Sequence, residues 1–324
     1  MKKNQITKVL AVMLALIMVC TLIPDDRAVS AAETKKSGDW EYEFDGKKAT
    51  ITKYNGNKAT VTIPTKLGGK SVTKIGRTAF EGNKDIEVVK ISKTITEIGW
   101  SAFAKCSNLT KVVFNKKCKL KKIDDSAFSD CYSLVNIKIP TSVTEIGGSV
   151  FSYCKSLKSI TIPAKATTLG DSMFYNCESL ESVTVKAKIT KLPDSFFWGC
   201  KYLDKYSIPD TITELGASCF GGCTQLLEIT VPTSCEKVGS HAFSFCTNLE
   251  KIDFGKKTKE LGYELFLDTP NLQTLIIPSS TTKFDDGIFG RCSSDMKKYL
   301  VVITPSGSDA EKWANNNDLT VKNK

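Results

Sequence analysis

The sequence is poor in histidine, the side chain that serves most often as a general acid or base. Only one histidine, His241, occurs in 324 residues, and the HExxH, GxSxG and P-loop motifs are absent. His241 has no evident Ser or Cys nucleophile beside it, and the acidic residues are scattered rather than placed as one pair. The sequence therefore predicts no enzyme activity, with no catalytic residue, no metal site and no cofactor.

Long apolar stretches are also scarce. The longest, residues 9–23, spans 15 residues, whereas a transmembrane helix needs about 20. It follows Lys2, Lys3 and Lys8 and precedes the small residues 28–32, which is the arrangement of a secretory signal peptide. Export to a secreted or cell-surface location is therefore expected, with a retained membrane anchor as the alternative. No LPxTG-like sorting signal indicates how a surface would hold the protein.

An internal repeat dominates the rest of the sequence, and phenylalanine is its clearest marker. Successive markers lie 23 residues apart, except for one interval of 25 residues that holds an insertion. Such a series predicts a stack of coils, because one segment has too little apolar surface to form a core alone. The markers are Phe80, Phe103, Phe128, Phe151, Phe174, Phe197, Phe220, Phe243, Phe266 and Phe289.

Other residue types keep a fixed distance from each marker, and we name these positions the Gly, Cys and Leu columns. Glycine stands four residues before the Phe in most coils, cysteine three after it, and leucine six after it. The Gly column holds Gly76, Gly99, Gly147, Gly170, Gly216, Gly239 and Gly262. The Cys column holds Cys106, Cys131, Cys154, Cys177, Cys200, Cys223, Cys246 and Cys292, with Asn83 and Thr269 in the same position of other coils.

Each coil reads as two short extended segments joined by a turn. The segment after the leucine alternates β-branched residues, as in residues 160–162, and proline often ends it, which predicts a short strand. A second extended piece ends at the glycine, and Asp125, Asp171 and Asp194 suit the N-cap of one helical turn that carries the Phe. The predicted fold class is an α/β repeat, a right-handed, strand-dominated solenoid of ten coils of about 23 residues.

The repeated motif T-x-I-G-x-x-A-F-x-x-C-x-x-L-x-x-I-x-I-P resembles the BspA-type (Treponema-type) leucine-rich repeats of bacterial surface proteins. The resemblance covers about residues 60–303. The flanking segments DGKKATITKYNGNKATVTIPTKLGGKSVTKIG and TPSGSDAEKWANNNDLTV are similar to the family's entry and closing segments. The resemblance implies a leucine-rich-repeat solenoid and a link to adhesion to host matrix proteins and to other bacteria.

The segments outside the repeat are predicted to cover its open ends, because terminal coils expose core. Trp40, Tyr42 and Phe44 alternate with glutamates before an Asp45-Gly46 turn, which predicts a β-hairpin cap, with an aromatic ligand shelf as the alternative. Residues 310–316 predict a short helix with Trp313 facing inward. The predicted domains are a signal peptide (1–31), a β cap (32–59), the solenoid (60–303) and a C-terminal cap and tail (304–324).

The chain has 12 cysteines, which in an exported protein suggests disulfides. One cysteine per coil is instead the pattern of a buried column, where a free thiol behaves as a small apolar group. Cys219 and Cys235 fall in apolar columns and read as core, and Cys118 lies in the inserted loop and is expected near the surface. Bridges between neighbouring coils remain the alternative, since coils about 5 Å apart permit them.

The net charge is +10, which favours an anionic extracellular partner and, for an exported chain, no nucleic acid. Candidate binding residues lie on the exposed side of the strands and in the inserted loop NKKCKLKK. The alternative is that lysine keeps the sheet soluble while Thr and Ser favour strand pairing. The strand candidates are Lys90, Lys111, Lys138, Thr161, Thr184, Lys186, Lys205, Ser207, Thr230 and Lys251, and the loop candidates are Lys116, Lys117, Lys119, Lys121 and Lys122.

The function hypothesis that follows is a non-enzymatic, monomeric binding or adhesion protein. Its rigid repeat surface would face a host protein, another bacterium or a glycan. The alternative hypothesis is a cell-wall-associated scaffold or polysaccharide-binding accessory protein, and a hydrolase is a third and weaker one.

Overall fold

The computed structural model describes residues 33–285, 287–290 and 294–324, so the predicted signal peptide lies outside the described residues. The helices are α1 (Ser294–Tyr299) and α2 (Asp309–Asn316). In chain order the strands are β1 (Lys35–Ser37), β2 (Trp40–Asp45), β3 (Lys48–Tyr54), β4 (Thr60–Thr62), β5 (Lys66–Leu67), β6 (Lys70–Ile75), β7 (Val88–Ile91), β8 (Glu97–Ile98), β9 (Lys111–Phe114), β10 (Lys122–Ile123), β11 (Asn136–Ile137), β12 (Glu145–Ile146), β13 (Ser159–Ile162), β14 (Thr168–Leu169), β15 (Ser182–Val185), β16 (Lys191–Leu192), β17 (Glu214–Leu215), β18 (Glu228–Thr230), β19 (Lys237–Val238), β20 (Lys251–Asp253), β21 (Glu260–Leu261), β22 (Thr274–Ile276), β23 (Lys283–Phe284), β24 (Val301–Thr304) and β25 (Thr320–Asn323).

The strands build two walls of a solenoid of about 12 turns, which confirms the predicted fold class. The strands that follow the Leu column pair in parallel to form the front sheet: β4, β7, β9, β11, β13 and β15, then β18, β20, β22, β24 and β25. The strands that precede the Gly column form the back sheet: β6, β8, β10, β12 and β14, then β16, β17, β19, β21 and β23. Each strand pairs with its counterpart one coil away, so equivalent residues form straight columns.

The Phe-bearing segments stack on one another and connect the two sheets; we call them the turn stack. They form successive tight turns rather than the helical turn that the sequence predicts. Two residues of a typical coil have positive φ, for example Ser101 (50°) and Lys105 (60°). Every second N–H group of the turn therefore donates to a carbonyl of the next coil. For example, the Phe103 N–H donates to the Ala127 carbonyl (2.8 Å).

The three aspartates predicted as helix N-caps bond to the next coil instead. The Asp125 carboxylate accepts a hydrogen bond from the Gly148 N–H (2.7 Å), and that of Asp171 accepts from the Asp194 N–H (3.0 Å). Asp194 repeats the arrangement with the Ala217 N–H (3.1 Å). These aspartates accept hydrogen bonds from backbone N–H groups, as they would in a helix cap, but the N–H groups belong to the neighbouring coil.

Both sheets are interrupted in the coil that contains Phe197. In the back sheet, Pro193 occupies the Gly column, where other residues donate an N–H to the preceding strand, as Gly216 does to Leu192 (2.8 Å). Proline has no N–H, and β14 and β16 do not pair. In the front sheet, Tyr206 replaces an inward aliphatic residue, and residues 205–208 form no strand. Its ring packs on Phe197 (4.8 Å between centroids), while its buried hydroxyl has no hydrogen-bond partner in the described part of the chain.

The core is a continuous stack of phenylalanine rings, and both predicted caps extend it. Adjacent Phe column rings lie 4.7–6.4 Å apart between centroids. At the N-terminus, Trp40 and Tyr54 from the β2–β3 hairpin contact Phe80 (6.1 and 5.3 Å). At the other end, Trp313 of α2 stacks on Phe289 (5.8 Å). The hairpin aromatics thus cover the first coil, whereas α1 has no counterpart in the sequence-based assignment.

Candidate functional site

The Cys column lies inside the solenoid and is part of its wall. Seven column cysteines are buried and free, and Cys292 lies outside the described residues. Each of the seven thiols donates to the carbonyl oxygen of the Phe one coil earlier, at S–O distances of 3.0–3.3 Å. Thr269 makes the same bond with its hydroxyl, to the Phe243 carbonyl (3.1 Å). The column therefore selects a small side chain that can donate one hydrogen bond.

Burial also makes these thiols poor nucleophiles. Desolvation raises the pKa of the column residues Cys106 and Cys246 to about 12. It also raises the pKa of Cys235, a buried cysteine outside the column, to about 11. A thiolate is the reactive form, so almost none is present at neutral pH. Cys118 is half-buried rather than fully exposed, and its pKa is raised by the same cause.

Thiol counting is expected to separate free thiols from bridges. Without residues 1–31 the chain keeps 11 of its 12 cysteines. Denatured but unreduced protein should react with a thiol reagent at all 11 positions. In native protein, Cys118 should react first and the described column cysteines at least about tenfold more slowly, because they are buried. Recovery of several intact disulfides after denaturation would contradict the buried-thiol assignment.

The outer face of the back sheet carries alternating charges that neutralise one another. In-register pairing places a lysine of one coil beside a glutamate of the next. Ion pairs join Lys74 to Glu97 (2.8 Å) and Lys191 to Glu214 (3.3 Å). The column reads Lys74, Glu97, Lys122, Glu145, Thr168, Lys191, Glu214, Lys237, Glu260 and Lys283. This face therefore offers little net charge to a partner.

The outer face of the front sheet differs, because most of its lysines have no ion-pair partner among the described residues. Register aligns Lys111 with Asn136, and Thr161 with Thr184. The predicted strand candidates are exposed and fall into two outward columns, apart from Lys186. The first column contains Lys111, Asn136, Ser159, Ser182, Lys205, Glu228 and Lys251; the second contains Lys90, Val113, Lys138, Thr161, Thr184, Ser207, Thr230 and Asp253.

A groove of about 790 Å³ lies on this face at coils three to five of the repeat. Four predicted residues line it: Lys138, Thr161, Thr184 and Lys186. Lys186 stands where neighbouring coils have proline, and its N–H donates to the Ile162 carbonyl (3.0 Å). Sequence reasoning missed the other polar lining residues, namely Asn136, Thr141, Ser159, Lys165 and Ser182. Strand alternation could have identified Asn136, Ser159 and Ser182, which share a column with Lys111.

The inserted loop adjoins the groove. Lys116, Lys117, Lys119 and Lys121 are exposed in it. The Ser142 hydroxyl donates to the Leu120 carbonyl (2.7 Å) and fixes the loop beside Thr141, which lines the groove. Lys122 is separated from this group, because it belongs to β10 of the back sheet and pairs with Asp124 (3.4 Å).

The remaining candidates lie outside the groove. Lys205, Ser207, Thr230 and Lys251 occupy later coils, where Glu228 aligns with Lys251 and Asp253 aligns with Thr230. The front sheet is therefore basic in its first half and of mixed charge in its second. Lys90 and Lys111 extend the basic half toward the N-terminus.

His241 lies on the turn stack beside Glu264, with 3.0 Å between Nε2 and the carboxylate. The Tyr263 hydroxyl donates to the same carboxylate (2.7 Å). No group of three or more His, Cys, Asp or Glu side chains in the described ranges is arranged to hold a metal ion. His241 therefore belongs to a surface hydrogen-bonded pair rather than to a recognisable catalytic set.

These columns match those of a known repeat family. The family model described as "BspA type Leucine rich repeat region (6 copies)" matches residues 73–204 and 167–296. The chain belongs to this family. Leucine-rich repeats of this family are typically non-enzymatic protein-binding scaffolds, which agrees with the predicted binding function at this coarse level. No curated protein matches the chain.

Solved structures of other bacterial proteins share the fold. A leucine rich cell surface protein from Faecalibacterium prausnitzii A2-165 is 26% identical, with a TM-score of 0.53, and the match covers 92% of this chain and 100% of that one. A leucine-rich repeat protein from Eubacterium ventriosum is 25% identical, with a TM-score of 0.52 and 85% coverage of both chains. The pneumococcal vaccine antigen PcpA, at 19% identity and a TM-score of 0.51 over 90% of this chain and 99% of its own, shows the fold alone.

The described part of this BspA-type chain contains no helix with the length and apolar character needed to cross a bilayer.

Proposed function

We propose that this protein is an exported binding or adhesion protein whose front sheet contacts an anionic extracellular partner. The observation that carries the proposal is the contrast between the two faces. Lysines on the back sheet alternate with glutamates, whereas Lys138, Lys165 and Lys186 surround a hydroxyl-lined groove without ion-pair partners in the described ranges. Unpaired positive charge attracts an anionic partner and raises its association rate.

The groove favours a glycan or an acidic protein segment as the occupant. Ser159, Thr161, Ser182 and Thr184 present hydroxyl groups side by side, and Asn136 adds an amide. Hydroxyls and amides both donate and accept hydrogen bonds, so they can bond to the hydroxyls of an acidic polysaccharide and donate to its carboxylates, which only accept. This lining is also the observation that favours the second candidate function, a wall-associated polysaccharide-binding protein. Export through residues 1–31 and attachment to a cell surface are parts of the same proposal.

An array of glycans and extracellular-matrix proteins tests the proposal. Binding is expected to sulfated or uronic-acid glycans or to acidic matrix proteins, and it should weaken as salt rises from low to physiological concentration. Binding only to neutral ligands, or no binding at all, would contradict it. Turnover in a broad hydrolase screen would contradict its non-enzymatic part.

A further inference from the structure

Four aromatic side chains form a strip along the outside of the turn stack in the middle coils. Tyr153 contacts Tyr175 (5.6 Å between centroids), Tyr175 lies parallel to Trp198 (6.3 Å), and Trp198 meets Phe245 edge-on (6.0 Å). All four are partly exposed. We call Tyr153, Tyr175, Trp198 and Phe245 the aromatic strip.

The backbone at the two ends of the strip is unfavourable for aromatic residues. Tyr153 and Phe245 both have φ of 59°. A bulky residue in this left-handed region is strained, whereas Gly, Asn and Asp adopt it readily. Six other coils use such residues at this position, and in one further coil Lys105 adopts the same conformation (φ of 60°); the six are Gly82, Asp130, Asn176, Gly199, Gly222 and Asp268. The two rings are therefore retained against a backbone preference, which points to a role on the surface.

The rings of Tyr175 and Trp198, in the middle of the strip, are not needed to complete the core of a coil. In five other coils the position of Tyr175 and Trp198 holds a small, buried residue, whereas Glu81 and Leu267 occupy it in two coils; the five are Ala104, Ser129, Ser152, Gly221 and Ser244. The Trp198 ring occupies the space in which a side chain at Gly221 would begin. The solenoid core thus ends beneath the strip, and the rings cover its outer edge.

The charges beside the strip are joined in ion pairs, with one lysine in excess. Glu178 pairs with Lys155 (3.1 Å) and with Lys201 (2.8 Å). The strip itself contains no charged side chain, and Tyr and Trp are, with Arg, the residues enriched at the energetic centres of protein interfaces.

The order of residues along the strip is self-complementary. When two copies pair about a two-fold axis at Trp198, each coil before Trp198 meets the coil equally far after it on the second copy. Tyr153, two coils before, then faces Phe245, two coils after. Asn176, one coil before, faces Gly222, one coil after, where the missing side chain leaves room.

We propose that the aromatic strip is a self-association surface, in place of the monomer that the sequence predicts, and that its occupant is the same strip of a second copy in antiparallel orientation. The strip spans five coils, a length of roughly 20 Å at about 5 Å per coil. A strip of this length that is one side chain wide covers less than the about 800 Å² per partner of a standard interface, so the dimer is weak. It leaves the front sheet of each copy free, and it forms independently of the ligand proposed above.

Analytical ultracentrifugation of the purified protein tests this pairing. The weight-average mass should rise toward that of a dimer as concentration increases to about 0.5 mM. Added salt should strengthen the association, because it screens the repulsion between two copies that are both net positive. Binding of an anionic ligand to the front sheet has the opposite salt dependence, so the two surfaces are distinguishable.

Two variants test whether the aromatic strip is the dimer contact. Tyr153→Asn combined with Phe245→Asn should abolish the dimer and keep or raise the melting temperature, by about 1–4 °C, because asparagine suits this backbone. Gly222→Asn keeps all four rings and should weaken the dimer at least about tenfold, by filling the space that Asn176 needs. Asp268→Asn lies in the same column beyond the strip and should change neither property.

Three results would overturn the proposal. A wild-type protein that stays monomeric at every concentration would exclude a second copy as the occupant. Self-association that survives in both test variants would place the contact elsewhere. A melting temperature lowered by several degrees in the Tyr153→Asn, Phe245→Asn variant would show that the rings stabilise the fold rather than bind a partner.

Discussion

Replacing Phe174 with alanine is expected to lower the free energy of unfolding by about 3–5 kcal/mol. The ring is fully buried and lies between Phe151 (5.9 Å) and Phe197 (5.8 Å) in the middle of the stack. Its removal leaves a cavity that neighbouring coils cannot fill, because straight strand columns on both sides fix their spacing. Chemical denaturation of wild type and variant measures the difference.

Tyr202→Ala is the matched control, since it also removes a large ring from the same region. Tyr202 is 61% exposed, so its loss should change stability by less than about 0.5 kcal/mol. Equal effects of the two substitutions would contradict the view that the Phe column is the core on which the fold depends.

Replacing Gly239 with alanine is expected to destabilise the protein by about 2–3 kcal/mol, because the added methyl group overlaps with the preceding coil. A Cβ atom there would lie 2.7 Å from the Ala217 nitrogen and 2.8 Å from the Gly216 carbonyl carbon. Both are backbone atoms and cannot rotate away. The coils would have to separate, which would weaken the Gly239 N–H bond to the Leu215 carbonyl (2.8 Å).

Gly148→Ala provides the comparison, because the nearest atom to its added methyl, the Asp171 carbonyl oxygen, is 3.2 Å away. A small adjustment relieves that contact, so the melting temperature should fall much less than for Gly239→Ala. A Gly239→Ala protein as stable as wild type would mean that the Gly column reflects turn preference rather than close approach of the coils.

The strict period explains why most of the fold was predictable. The residues of the Phe or Cys column share the same environment in many coils. A different residue in one coil therefore does not hide the pattern. The hydrogen-bonding role of the Cys column could also be inferred, since Thr269 and Asn83 replace cysteine with other polar groups. The hairpin and α2 followed from aromatic alternation and from the need to cover terminal coils.

The turn stack could not be predicted in the same way, because its backbone departs from residue preferences. Residues such as Ser101, Lys105 and Tyr153 have positive φ, although none of them favours it. The neighbouring coil stabilises this conformation through inter-coil hydrogen bonds, and such bonds are invisible to a local reading. For the same reason, aspartates that resembled helix caps proved to be bridges between coils.

The candidate site was predictable only in part. Alternation of inward and outward residues along a strand predicts which side chains of the front sheet are exposed. The back strands have only two residues each, so the sequence does not reveal that Lys and Glu alternate from coil to coil on their outer face. Lys122 was therefore grouped with the loop lysines, although it lies in the back sheet beside Asp124. Lys165 lies after a strand, and its position does not belong to a repeated column, so its place at the groove is evident only in the folded structure.

The central claim is that the unpaired lysines of the front-sheet groove bind an anionic partner. Its most direct test is titration calorimetry with heparin as the probe. The test variant carries Lys138→Glu and Lys165→Glu, both at the groove. The control carries Lys256→Glu and Lys257→Glu, which make the same change in net charge at exposed positions of a later coil, with Lys257 four repeats after Lys165. The account predicts that the groove variant binds at least about tenfold more weakly than wild type while the control binds nearly as well. Equal affinity of all three proteins, or an equal loss in both variants, would contradict it.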